Sequence, residues 1–133
     1  MARMIFPNLA VEDLERSVGF FTKLGFTFNP QFTDDKATCM VINESASVML
    51  LVRERFSDFT TKRIVDSHEA VEVMIALTAD SRDEVDQLVA SALAAGGAPA
   101  NDPQDLGFMY SRSFDDPDGH TWEIFWMDPT HMQ

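Results

Sequence analysis

The sequence predicts an α+β fold made of two modules with the same element order, β-α-β-β-β. Three observations lead there. Two amphipathic helical segments each begin at a capping residue and end at glycine. Each follows one strand-like segment and precedes several more. Two long strand-like runs close the chain around the turn Asp116-Pro117-Asp118-Gly119. The expected organisation is a single domain over residues 1–133, with module 1 at about 3–52, a connection at about 53–70 and module 2 at about 71–128. On element order alone, a ferredoxin-like α+β domain competes with this reading.

Residues 4–11 read as the first strand, and Pro7 places it at an edge or bulge because proline lacks an N–H. Asp13 is a plausible N-cap. Leu14, Val18, Phe21 and Leu24 recur at helical spacing, so the helix is expected over 14–24, with Gly25 as its left-handed terminator. Strands are expected at 26–29, 37–43 and 47–52, separated by the turn residues Asp34-Asp35 and Asn43-Glu44-Ser45. The segment 53–70 is polar and mixed, with Phe56, Phe59, Ile64 and Val65 near helical spacing; a short helix or lid-like excursion is expected. Residues 71–78 open the second module as a strand. Ser81 and Glu84 form a capping box, and Val85, Leu88, Val89, Ala92 and Leu93 make the stripe of a helix ended by Gly96-Gly97. The last strands are 108–114 and 121–127.

Composition narrows the function. The chain has 133 residues, 45% of them hydrophobic, and a net charge of −12. That charge repels phosphate backbones and anionic headgroups, so no nucleic-acid or membrane partner is expected. No apolar run reaches the roughly 20 residues of a membrane helix, and no signal peptide is evident, so a cytoplasmic location is expected. The single cysteine, Cys39, reads as a small buried hydrophobe. A local basic pocket remains open around Arg53 or Arg112.

Three segments carry a resemblance: residues 9–18 (LAVEDLERSV), residues 20–26 (FFTKLGF), and residues 116–123 (DPDGHTWE). Together they resemble the vicinal-oxygen-chelate superfamily of glyoxalase I, extradiol dioxygenases, fosfomycin-resistance enzymes and bleomycin-binding proteins. The chain is most similar to small bacterial proteins described as lactoylglutathione-lyase-like. The resemblance implies that each βαβββ module curls into a half-barrel, that two modules enclose a cavity, and that the protein forms a homodimer. In metal-using members four inward side chains hold one divalent ion, here zinc or nickel, which polarises vicinal oxygens as a Lewis acid.

Carried over residue by residue, that ligand set is mostly missing. Counting back seven residues from Asp13 gives Phe6, and the same count from Ser81 gives Met74, with Glu72 on the same face. The last strand of the first module offers Met49, a poor ligand for a hard ion. Only Glu123 matches, at the superfamily's C-terminal carboxylate position. Strand alternation turns Asn8 toward the cavity, together with Glu123 and Phe125, and packs Trp122, Ile124 and Trp126 behind. A buried carboxylate needs a partner. Arg112, Tyr110 or Asn8 is expected to supply one, unless Glu123 is reserved for a ligand or is a plain edge glutamate. His68, His120 and His131 read as isolated surface residues, although His68 near Glu72 could act as a mobile ligand. Met40, Met49, Met74 and Met109 hint at an apolar cavity, and Phe6, Phe28, Phe108 and Phe125 offer stacking surfaces.

Three functions follow. The first is a lyase or isomerase of the glyoxalase type, with Glu123 as metal ligand or general base and Asn8 or Arg112 as oxyanion partners. The second is a metal-free drug- or metabolite-binding protein that takes a bulky organic molecule against acidic and aromatic walls. The third is a structural module with a filled cavity.

Overall fold

The structure is a computed structural model that describes residues 3–131. Its contacts divide the chain into two compact units, residues 1–66 and 67–133, and the division falls inside the expected connection. The fold is α+β, with one mixed sheet in each unit.

Unit 1 runs β1 (Asn8–Val11), α1 (Leu14–Lys23), β2 (Thr27–Asn29), β3 (Ala37–Asn43), β4 (Ala46–Val52) and the short α2 (Arg53–Phe56). Single 3-10 turns lie at Pro30–Phe32 and Ser57–Phe59. The sheet order is β1-β4-β3-β2; β1 pairs with β4 in parallel and the other pairs are antiparallel. The first strand is shorter than expected. It starts at Asn8, and upstream only an isolated bridge between Ile5 and Ala46 survives. Pro7 marks that break: it has no N–H to give, but its carbonyl accepts from the Met49 N–H (2.8 Å).

Helix α1 starts where the sequence indicates. The Asp13 carboxylate accepts the Arg16 N–H (3.2 Å), and Gly25 adopts φ +100° after the C-cap Leu24. Its buried stripe is Ser17, Phe20 and Phe21, whereas Leu14 and Val18 of the expected stripe are only half-buried. Leu9, Val11, Met40, Val48 and Leu50 alternate onto the α1 side of the sheet, and each is nearly or fully buried. Cys39 is buried within β3.

Unit 2 runs β5 (Met74–Thr78), α3 (Arg82–Ala94), β6 (Ala98–Pro99), β7 (Gln104–Asp105), β8 (Met109–Asp115) and β9 (Thr121–Met127). The order is β5-β9-β8-β6, with β7 also on β8 and β5 parallel to β9. The second strand of this module is thus split into two short pieces, β6 and β7. Residues 71–73, expected in the strand, stay outside it, with Val71 and Val73 exposed. The capping box forms with a shift. The Ser81 hydroxyl accepts the Glu84 N–H (3.1 Å), but the Glu84 carboxylate accepts the N–H of Asp80, one residue before the cap (3.1 Å). Val85, Val89 and Ala92 bury against Phe114, Trp122 and Ile124.

The turn before β9 is built on Asp116. This buried carboxylate accepts the N–H groups of Asp118 (2.9 Å) and His120 (3.1 Å) and the Trp122 indole N–H (3.0 Å). Burial pushes its pKa up, against the charge of His120 and the indole and Asp118 N–H donors that favour its ionised form. Gly119 adopts φ +84°, and a Cβ there would lie 2.7 Å from the His68 backbone nitrogen. The DPDG motif is therefore a packed corner that starts β9 in register.

Candidate functional site

In unit 2 the register fixes what surrounds Glu123. Across β5 it is paired with Ala76, and across β8 with Ser113. Trp122 and Ile124 are buried on the α3 side, which leaves Glu123 and Phe125, both half-buried, on the opposite face. Glu123 borders a cavity of about 400 Å³ that is also lined by Ser111, Ser113 and residues 101–104. The chain crosses there between β6 and β7, and a two-way clip holds it: the Asn101 N–H donates to the Ser113 hydroxyl (2.8 Å), which donates to the Asn101 carbonyl (3.3 Å).

The partners expected for Glu123 are engaged elsewhere. Arg112 borders the cavity, but its guanidinium pairs with Asp86 on α3 (3.1 Å). The Tyr110 hydroxyl donates to the same Asp86 oxygen (2.6 Å). Tyr110, first, and Arg112 hold the Asp86 carboxyl below its ordinary range, and Asp86 in turn raises the Tyr110 phenol. Asn8 Nδ2–H donates to the Phe6 carbonyl (2.8 Å). Among the described residues, no donor or cation meets the Glu123 carboxylate.

Sequence reasoning missed the anchor beside this group. Arg82 makes a bidentate pair with Asp105 (2.9 Å on both oxygens) and lies 5.2 Å from the ring centroids of Tyr110 and Trp126. Hydrogen bonds from Arg82, first, and then the Gly107 N–H lower the Asp105 pKa to about 2. The pair ties the start of α3 to β7, which borders the cavity wall. Its only sequence signal was an arginine in the first helical turn, where acidic residues are preferred.

The structure places the other expected residues as follows. The partner of Glu123 on β5 is Ala76 and not Met74, which is exposed two residues upstream. Glu72 is exposed and precedes the strand. In unit 1 the equivalent pairing is Asn8 with Met49, so Phe6 is displaced in the same way and is 40% exposed outside the strand. In both modules the strand residue paired with the last strand at this point lies five residues before the N-cap, at Asn8 before Asp13 and at Ala76 before Ser81, two positions beyond Phe6 and Met74. Of the four methionines, Met49 borders a hollow, Met40 is fully buried on the α1 side, Met74 is exposed and Met109 half-buried. Neither arginine makes a free basic pocket, since Arg53 donates to the carbonyls of Ile64 (3.0 Å) and Val65 (3.4 Å). Two histidines are less isolated than expected: His120 is half-buried beside Asp116, and His131 stacks on Phe108 at 4.0 Å.

A family model for "Bleomycin resistance protein-like N-terminal" sequences matches residues 3–43. A hypothetical protein from S. aureus is 32% identical, covering 95% of this chain and 94% of its own, with a TM-score of 0.80. The chain belongs to the vicinal-oxygen-chelate (glyoxalase/bleomycin-resistance) superfamily. Two more distant structures share the superfamily fold. One is a glyoxalase-related enzyme from Fulvimarina pelagi (21% identity, 95% of this chain and 88% of that one, TM-score 0.79). The other is the fosfomycin resistance protein FosX from Listeria monocytogenes (20% identity, 95% and 91%, TM-score 0.66). A search of the curated proteins finds no match.

The superfamily's divalent ion does not fit these residues. The paired sheet positions hold an amide and a thioether in unit 1 (Asn8, Met49), and a methyl and a carboxylate in unit 2 (Ala76, Glu123). A hard ion needs several oxygen or imidazole donors. Among the described residues, no three His, Cys, Asp or Glu side chains gather closely enough to hold one.

Proposed function

We propose that this superfamily member binds a small organic cation without a metal, using the cavity over β8 and β9 with Glu123 as the counter-charge. One observation carries the reading: Glu123 lines the cavity with Ala76 as its register partner, and the Arg112 that shares the lining is paired with Asp86, so among the described residues no hydrogen bond or ion pair reaches the Glu123 carboxylate. A half-buried carboxylate without a partner gains most from a ligand that brings positive charge. Asp102 on the wall adds to the negative field, and the hydroxyl of Ser111 supplies a further polar contact. Phe125 offers a ring on the same face. The same reading includes a cytoplasmic homodimer in which both modules serve one domain. Among the described residues, no helix is long and apolar enough to cross a membrane.

The test combines thermal shift with metal analysis. Benzyltrimethylammonium is expected to raise the Tm of the protein in a concentration-dependent way, and Glu123→Gln to abolish the rise while leaving the unliganded Tm within a few degrees. Zinc and nickel are expected to be substoichiometric after purification. Stoichiometric metal, together with turnover of the methylglyoxal–glutathione adduct that chelation removes, would overturn the proposal in favour of a lyase. Light scattering reads the dimer directly.

A further inference from the structure

An irregularity in the sheet of unit 2 builds one wall of the Glu123 cavity. Beside β8, Pro99 pairs with Phe114 and Gln104 pairs with Ser111. Residues 100–103 therefore cross opposite Arg112 and Ser113 alone, two residues more than a continuous ladder would use, and the segment bulges away from β8. The bulge is anchored at both ends. The Ser113 hydroxyl clips the N–H and the carbonyl of Asn101 (2.8 and 3.3 Å), and Gln104 is fixed in its pair with Ser111. Asp102 stands between these anchors. Pro103 stiffens it further, because the residue before a proline is confined to extended backbone.

Three polar groups of the lining have no protein partner among the described residues. Two are carboxylates, Glu123 on β9 and Asp102 on the bulge. The third is the hydroxyl of Ser111, a residue that lines the cavity and is only 5% exposed. A buried hydroxyl without a partner is costly until a ligand meets it. Arg112, the cation of the lining, is paired with Asp86. The lining thus presents two carboxylates without a counter-charge, and a ligand with one positive centre matches only one of them. The register also spaces them. Glu123 lies opposite Ser113 on β8, and Ser113 in turn holds Asn101, the neighbour of Asp102. The two carboxylates therefore rise from segments two strand spacings apart, roughly 10 Å. A four-carbon diammonium ion, with a hydrogen bond at each end, spans such a gap.

We propose that the ligand of this cavity is a short aliphatic diammonium ion, held at one end by Glu123 and at the other by Asp102, with the Ser111 hydroxyl accepting a further N–H. The proposal rests on the reading of the cavity as a cation site and deepens it: binding a cation needs Glu123 alone, whereas selecting a dication needs Asp102 as well.

Calorimetric titration of the full-length protein tests it with three probes: 1,4-diaminobutane, n-butylamine and benzyltrimethylammonium. Low ionic strength is used, because salt screens pairs at an open cavity. Diaminobutane is expected to bind at least about tenfold more tightly than butylamine, beyond the roughly twofold that two equivalent ends supply. Asp102→Asn changes an exposed side chain without a partner, so the fold should be kept. It should remove the preference for the diamine and leave butylamine within about twofold of its original affinity. Ser111→Ala should weaken both amines. Equal affinity for the two amines, or a preference that survives in Asp102→Asn, overturns the diammonium proposal, while binding of benzyltrimethylammonium in the same titrations upholds Glu123 as a cation site. Failure of all three probes overturns the cation reading itself, and this proposal with it.

Discussion

Replacing Asp116 with alanine removes one acceptor group from three donors at once. The carboxylate is 4% exposed and takes the N–H groups of Asp118 and His120 at one oxygen and the Trp122 indole at the other. Trp122 is fully buried, so its N–H has no water to turn to. A buried donor left unpaired costs about 1–3 kcal/mol. The two backbone donors lie in a part-buried loop and recover part of their loss through water. The expected destabilisation is about 2–4 kcal/mol, a large share of the 5–15 kcal/mol typical of a whole domain. Urea unfolding followed by tryptophan fluorescence measures it. A double-mutant cycle with Trp122→Phe isolates the indole bond, and Trp126 remains as the reporter. Asp116→Ala should cost about 1 kcal/mol less in the Trp122→Phe background. A loss below about 0.5 kcal/mol, or a strictly additive cycle, would show that the carboxylate does not organise the corner and would refute the reasoning.

Gly119→Ala should destabilise by about 2 kcal/mol or more, because an alanine at φ +84° is strained and its methyl would meet backbone atoms of Ser67 and His68; the same urea titration reads it. Ser81→Ala should cost about 1 kcal/mol through the lost Glu84 N–H bond, and an unchanged midpoint would show that α3 does not depend on its cap. Acid should weaken the fold. Asp34, Asp86, Asp105 and Asp128 have folded pKa values below their ordinary ones, so the unfolded chain binds more protons, and stability falls as pH drops from about 4 toward the Asp105 value of about 2. Asp116 acts with the opposite sign: its raised pKa lets the folded state hold the extra proton, and that contribution is lost as pH rises through it. Urea midpoints at pH 5 and pH 2.5 should therefore differ, and Arg82→Met should reduce the difference by releasing Asp105; equal midpoints would contradict the assignment.

Much of the fold was legible because its signals are local. Asp13, Ser81, Gly25 and Gly96 bound their helices through hydrogen bonds and dihedral angles that span only a few residues. Strands β3 and β9 were likewise legible as alternating runs between turn residues. What depended on pairing across the sheet was not. The residue beside Glu123 is set by the parallel register of β5 on β9, and no local pattern distinguishes Ala76 from Met74, which share parity and face. The same two-residue offset separates Asn8 from Phe6. Glu123 lies opposite the buried Trp122 and Ile124, a placement that alternation along one strand gives without a partner strand.

Side-chain partners were the least legible. Arg112 and Glu123 lie on adjacent strands, and pairing them is a natural guess for two opposite charges. Antiparallel register puts Arg112 opposite Ile124 and so on the α3 side, where Asp86, 26 positions earlier, accepts it. That single register fact decides the chemistry of the cavity. An arginine beside Glu123 would have neutralised it and left a site for uncharged molecules. Because the Arg112 guanidinium pairs with Asp86, it does not pair with Glu123, and Ala76 adds no second ligand. Of the two residues paired at this point of the unit 2 sheet, only Glu123 can bind an ion, and on the proposed reading its carboxylate serves a cationic ligand directly.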